Sequence, residues 1–243
     1  MLIFTTNHDF EERKSLIMVM PAHLPRWYFC KKNTAMGLFK KFFSNARKPV
    51  GFLGKIMVSG MNGGGHAAMA NWALKQVMVS DNDHVLDIGC GGGGNIARML
   101  KLAQNGKVDG IDFSSVSVKK SKKVNAEAIK EGRCEVMEGN VTNLPFETET
   151  FDVVTAFETI YFWPDIEHCF NEVKRVLKTG GKFVIVNESD GTGSMDAKWE
   201  GLIEGMHTYK PDEVELHLTN SGFKDIKVQI NETKRWMLVT AVK

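Results

Sequence analysis

Residues 84–94 read His84-Val85-Leu86-Asp87-Ile88-Gly89-Cys90-Gly91-Gly92-Gly93-Gly94. Val85, Leu86 and Ile88 around one acid make a short strand of the buried type, His84–Ile88, and the glycines after it force a turn. Gly89, Gly91 and Gly93 remove side chains where the strand ends, so backbone can approach a ligand closely there. Ile96, Met99, Leu100 and Ala103 then recur at helical spacing, and the start of that helix offers free N–H groups to an anion. Strand, glycine turn and helix together open an alternating α/β sheet. Ligands of such sheets bind beyond the carboxyl ends of the strands, near the point where strand order reverses.

Downstream the alternation continues. A second strand over 107–111 leads into Asp112, and a serine-capped, lysine-rich helix over 115–130 follows. Strands are predicted over 133–137 and 151–157. Ile166, Cys169, Phe170, Val173, Val176 and Leu177 give the cleanest amphipathic helix, entered through Pro164 and Asp165 and expected to stop at Gly180-Gly181. A buried-type strand over 182–187, a helix from Pro211 and two closing strands around the polar residues 231–234 complete the pattern. Strand alternating with helix predicts a doubly wound parallel sheet, and two strands with no helix between them place one antiparallel strand at or near an edge.

Upstream, residues 1–35 read as an extension without helical or strand period, and 36–80 as a helical lid segment ahead of the main domain over 81–243. In 37–48, Phe39, Phe42 and Phe43 alternate with basic residues. This predicts a helix that packs its Phe face on the domain, with contact to a membrane surface or nucleic acid as the alternative. The run Met61-Asn62-Gly63-Gly64-Gly65-His66 reads as a mobile lid before a helix over 67–79 whose Trp72 and Leu74 face inward.

With 243 residues and 43% hydrophobic residues, the chain has material for one substantial core. A net charge of +2 gives no reason to expect nucleic acid as a partner. The four cysteines form no C-x-x-C pair, so neither structural zinc nor a disulfide framework is expected, and no metal ligand set stands out. No stretch approaches the roughly 18–20 apolar residues of a membrane span, and the amino terminus does not read as a signal peptide. These features predict a cytoplasmic protein; they leave the oligomeric state open.

The glycines alone leave two ligands in play. Gly89, Gly91 and Gly94 satisfy G-x-G-x-x-G, the pattern of a nicotinamide dinucleotide site, and Asp112, 21 positions beyond Gly91, suits ribose hydroxyls under either reading. A carboxylate at Asp87 is electrostatically awkward beside a pyrophosphate. S-adenosylmethionine has no phosphate: an acid beside the turn favours its cationic end, and the helix N-terminus takes its carboxylate. The Tyr-x-x-x-Lys pair of short-chain dehydrogenases occurs as Tyr28 and Lys32, ahead of the first strand and in the wrong place for catalysis at this sheet.

From about His66 onward the sequence resembles the class I S-adenosylmethionine-dependent methyltransferases of the small-molecule type, similar to quinone-biosynthesis C-methyltransferases. The resemblance rests on five ordered segments: residues 85–93; Gly110-Ile111-Asp112-Phe113-Ser114; Gly139-Asn140-Val141 with Leu144-Pro145-Phe146; Phe151-Asp152-Val153-Val154; and Arg175-Val176-Leu177-Lys178-Thr179-Gly180-Gly181. It implies a seven-stranded Rossmann-like sheet in the order 3-2-1-4-5-7-6 with strand 7 antiparallel. It also implies that Asp87, Ile88, Gly89, Cys90, Gly91 and Gly93 surround the methionine part, that Asp112 takes the ribose and Phe113 lies against adenine. Asn140 and Val141 would meet the adenine edge, and Phe157 would close the site. Many relatives have Asp where this chain has Asn140, whose carbonyl still accepts from an adenine amino group.

Methyl transfer from a sulfonium is an in-line displacement, so positioning and exclusion of water supply much of the catalysis, and a base is needed only where the acceptor must lose a proton. Glu158 after the fourth strand, His66 on the lid and Glu188 after the fifth are the candidate bases; as alternatives, the acids serve as strand-end acceptors and His66 caps a helix. Tyr161, Phe162 and Trp163 either line the acceptor pocket, with Glu188, or anchor the following helix. The chain lacks the Asn/Asp-Pro-Pro-Tyr/Phe segment of amino-group methylation and any Pro-Cys nucleophile. A small or lipid-like acceptor is therefore expected. A nicotinamide-dependent oxidoreductase and a non-catalytic cofactor-binding partner subunit are the alternatives.

Overall fold

The computed structural model describes residues 64–243. The extension over 1–35, the amphipathic stretch over 37–48 and residues 61–63 of the glycine run lie outside the described residues. Seven strands form one sheet: β1 (His84–Ile88), β2 (Lys107–Asp112), β3 (Val136–Glu138), β4 (Phe151–Phe157), β5 (Leu177–Asn187), β6 (Lys224–Ile230) and β7 (Met237–Val242). Their order is β3-β2-β1-β4-β5-β7-β6, with β7 antiparallel to both neighbours. The chain runs outward from β1 to β3 and then returns to place β4 on the other side of β1. The order therefore reverses between β1 and β4, and a crevice opens at their carboxyl ends.

Period-two alternation divides the core between the two faces of the sheet. On β5, Phe183 and Ile185 join the cluster that holds Phe170, Val173, Leu218 and Phe223, under α5 (Ile166–Val176) and α7 (Pro211–Asn220). Val184 and Val186 join the opposite cluster, with Met69, Ala73, Ile96 and Met99, under α1 (Gly64–Leu74) and α2 (Gly94–Met99). Between β2 and β3, α3 (Ser115–Val124) and α4 (Ala126–Lys130) cross over, and α6 (Asp196–Leu202) follows β5.

Four local expectations are corrected. The predicted helix over 115–130 is two helices, because the Asn125 amide donates to the Ser121 and Gly93 carbonyls, at 3.0 and 3.1 Å, and holds its own backbone out of helical geometry. The helix expected to stop at Gly180-Gly181 ends at Val176. Leu177 already has extended backbone and pairs with Phe151, while Gly180, at φ 78°, sits where the β4–β5 pairing slips. The lid helix begins at Gly64 and ends at Leu74, with Leu74 buried but Trp72 only half-buried against Trp236. Strand β3 spans only Val136–Glu138, and α6 was not expected at all.

Phe183 is 1% exposed and meets Trp163, Phe170 and Phe223 at ring-centroid distances of 6.2, 5.5 and 5.7 Å. Truncating it leaves a cavity beneath α5 that those rings cannot fill. We expect Phe183→Ala to lower unfolding free energy by about 3–5 kcal/mol, read from urea titration by circular dichroism.

Candidate active site

At the reversal point the chain leaves β1 through Gly89, whose N–H donates to the Ile111 carbonyl at 2.7 Å. Gly89 has φ 72°, and a Cβ there would lie 2.3 Å from the Thr159 methyl, so both conformation and packing demand glycine. Gly91, at φ 50°, faces open space, and its N–H donates to Asp112 Oδ2 at 2.9 Å. The other Asp112 oxygen accepts the Ser114 N–H at 2.8 Å. The Ser117 hydroxyl is a third donor to this carboxylate, which leaves about one of its four lone-pair sites for a ligand hydroxyl. Burial raises the Asp112 pKa, with these backbone donors opposing the shift.

An inner cavity of about 200 Å³ opens here between Ile88, Gly89 and Gly91 on one side and Gly139, Asn140 and Val141 on the other, with Asp112 and Phe113 at its edge. Phe157, Glu158, Thr159, Phe162 and Trp163 complete it, so among the described residues the charged side chains on its walls are the acids Asp112 and Glu158. Asn140 is exposed, and its carbonyl already accepts the Thr142 N–H at 3.1 Å. A smaller cavity of about 50 Å³ adjoins the turn, lined by His66, Met69, Cys90, Asn95, Arg98 and Glu158 among others. Arg98, which sequence reasoning passed over, brings a cation to the glycine turn from the last turn of α2.

Two residues expected at the turn stand behind it. Asp87 is 1% exposed and lines none of these cavities; it accepts the Thr155 hydroxyl at 2.7 Å from the adjacent strand. Gly93 caps α2 and packs against Ser121 and Asn125, where a Cβ would meet atoms at 2.4 and 2.5 Å.

A third cavity, about 370 Å³, lies outside the carboxyl ends of β4 and β5. Glu158, Tyr161 and Glu188 line it, as do Asp196 and Trp199 of α6, the loop residues Ser189, Met206 and Thr208, and Lys234 and Arg235 between β6 and β7. Arg235 pairs with Asp190 and lies 3.5 Å from Asp196, tying the β6–β7 hairpin to the loop before α6. Trp163, read as lining the acceptor pocket or anchoring the following helix, packs on Phe170 of that helix, stacks parallel to Phe183 and borders the inner cavity.

Glu158 lines all three cavities. It follows β4 with φ 60°, a costly backbone for a non-glycine residue, held by its N–H to the Val186 carbonyl at 2.9 Å. Its Oε1 accepts the Glu188 N–H and the Tyr161 hydroxyl, the latter at 3.2 Å. Withdrawal from water pushes its carboxyl up to about 8, and the Glu188 charge adds to the shift. One ligand atom each of His66, Glu158 and Glu188 lie within 4.8 Å of one another. The sequence reading named all three residues but could not see them meet, because they sit on three different elements.

A doubly wound sheet in this order, with a glycine turn and an acid at the end of β2 around one crevice, defines a Rossmann-like methyltransferase domain. The family described as Methyltransferase domain matches residues 79–236, and the chain belongs to it. S-adenosylmethionine is the cofactor of this family, and the glycine turn and Asp112 around the inner cavity fit it. The chain is 36% identical over 131 residues to demethylmenaquinone methyltransferase of Alkalihalophilus pseudofirmus, covering 52% of this chain and 54% of that protein. It is 34% identical over 112 residues to sterol 4-C-methyltransferase of Caenorhabditis elegans, covering 46% of this chain and 33% of that protein. The chain thus spans about half the length, or less, of these relatives. Its fold is that of a crystal structure of a SAM-dependent methyltransferase from Aquifex aeolicus, at TM-score 0.64 and 19% identity, covering 77% of this chain and 97% of that one.

Burial moves the Asp87 pKa from 3.8 to about 7, with the Thr155 hydrogen bond opposing the shift and the nearby Asp112 charge adding to it. Because the folded value is raised, the penalty is absent below 3.8 and grows as pH rises toward 7, where the unfolded chain has released a proton that the folded one still holds. Stability therefore falls through this window by up to about 1.4 kcal/mol per pH unit from this group. Asp87→Asn, which still accepts from Thr155, is expected to flatten that slope in urea titrations taken from pH 4 to 8.

Proposed function

We propose that this chain transfers a methyl group from S-adenosylmethionine to a small-molecule acceptor bound in the outer cavity. The reading rests on the inner cavity, where a glycine turn, a ribose-accepting carboxylate and, among the described residues, acid-only charged walls meet at the sheet's reversal point. The cofactor supplies an electrophilic methyl on a sulfonium. Asp112 holds the ribose hydroxyls, Phe113 and Val141 bracket adenine, and Asn140 accepts from its amino group. Arg98 takes the methionine carboxylate beside Cys90 and Gly91. Glu158, common to all three cavities, marks where the methyl crosses to the acceptor.

The acceptor side supports a molecule with both an apolar and a polar part. Trp199 and Met206 supply apolar surface; Thr208, Lys234 and the carboxylates supply polar contacts. The quinone and sterol named in the relatives' activities are ring systems of that kind, which favours a lipid-like ring acceptor here.

Calorimetry with S-adenosylhomocysteine tests the donor half. Micromolar binding is expected, weakened at least about tenfold in Asp112→Ala by loss of charge-assisted hydrogen bonds. NADH added to the same protein is expected to give no heat. Tight NADH binding, or none of S-adenosylhomocysteine at millimolar concentration, sinks the reading.

A further inference from the structure

We infer that His66, Glu158 and Glu188 form a binding site for a divalent transition-metal cation between the donor and acceptor cavities, where it holds an acceptor through an ionisable hydroxyl. The three residues arrive from α1 and from the carboxyl ends of β4 and β5, and a ligand atom of each falls within 4.8 Å of the others. Donors bound at about 2.0–2.2 Å from one ion lie some 3–4 Å apart, so small side-chain rotations close the set.

The charges around the site call for a cation. Glu158 and Glu188 bring two carboxylates together, and among the described residues neither is in an ion pair. Lys234 and Arg235 line the cavity shared by Glu158 and Glu188, and Arg98 the one shared by His66 and Glu158, but Arg235 is committed to Asp190 and Asp196, and among the described residues neither Lys234 nor Arg98 is ion-paired with either glutamate. Only Oε1 of Glu158 is used, by the Glu188 N–H and the Tyr161 hydroxyl; the Glu188 carboxylate and the His66 ring have no hydrogen-bond partner among the described residues.

One imidazole and two carboxylates are a mixed nitrogen and oxygen set, which suits Mn²⁺, Fe²⁺ or Zn²⁺ better than the all-oxygen preference of Ca²⁺. Three protein ligands leave positions open, as in a site that binds substrate. An acceptor hydroxyl bound there becomes more acidic and releases its proton to water. Resting on the methyl-transfer reading above, the resulting oxyanion, or the ring carbon conjugated to it, forms the new bond to the methyl as the carbon–sulfur bond breaks. Anion and sulfonium leave as two neutral products. The acceptor class is thus an enol or phenol.

Chelator-treated full-length protein titrated with Mn²⁺ and followed by electron paramagnetic resonance tests the site. One equivalent is expected to bind and quench the free-ion signal, Zn²⁺ is expected to displace it, and a comparable concentration of Ca²⁺ is not. Glu188→Gln and His66→Ala are each expected to weaken binding at least about tenfold. Glu188 is exposed, so its variant keeps the fold and decides the matter by itself. Equal Mn²⁺ affinity in wild type and Glu188→Gln, or no binding at millimolar Mn²⁺, overturns the inference. S-adenosylhomocysteine calorimetry on the same samples separates the outcomes: cofactor bound without metal defeats this site and leaves the proposed function standing, whereas metal bound without cofactor does the reverse.

Discussion

Asp112 accepts the Gly91 N–H through one carboxylate oxygen and the Ser114 N–H through the other. This acid ties the turn after β1 to the end of β2 and, through Ser114, to the capped start of α3. It also fixes the distance between the loop that closes on a ligand and the acid that would hold it. Neither hydrogen bond is unusual alone. Their convergence on one buried carboxylate makes the crevice a preformed site, because an acid with both oxygens engaged has little freedom to turn away.

The rest of the sheet keeps that arrangement in place. Parallel pairing of β1 with β2 and β4 brings the glycine turn, Asp112 and Glu158 to one edge, and the aromatic packing of Trp163, Phe170, Phe183 and Phe223 holds α5 and α7 beneath it. The third cavity is built differently. Its walls come from α6, the loop around it and the β6–β7 hairpin, joined mainly by Arg235 with Asp190 and Asp196. Strand ends wall the inner cavity, whereas more variable connecting segments wall the third.

Glu158 is where the two sides meet, and it carries the local strain. Its left-handed backbone, its carboxyl held by Tyr161 and the Glu188 N–H, and its place on every cavity give it more constraint than a strand-end acid needs for folding. The Glu188 carboxylate beside it adds repulsion, which the hydrogen bonds from the Glu188 N–H and the Tyr161 hydroxyl oppose.

Much of this was legible in the sequence. Period-two and period-3.6 patterns marked β1, β2, β4, α5 and the closing strands, and the glycine turn with Asp112 pointed to the inner cavity, because those signals come from neighbours along the chain. Local signals missed what distant residues decide. Asn125 breaks a helix by bonding to Gly93, 32 positions away. Asp87 adjoins the turn in sequence, but its carboxylate is buried against Thr155, on a strand 68 positions later. The third cavity was invisible because its walls come from elements far apart in the chain: strand ends, α6 and the β6–β7 hairpin. By itself, the sequence determined the class of fold, most of its elements and the glycine turn at the end of β1. Only the tertiary structure decided which of the candidate acids reach a cavity and which face the core, since that choice belongs to the pairing of strands and not to any one of them.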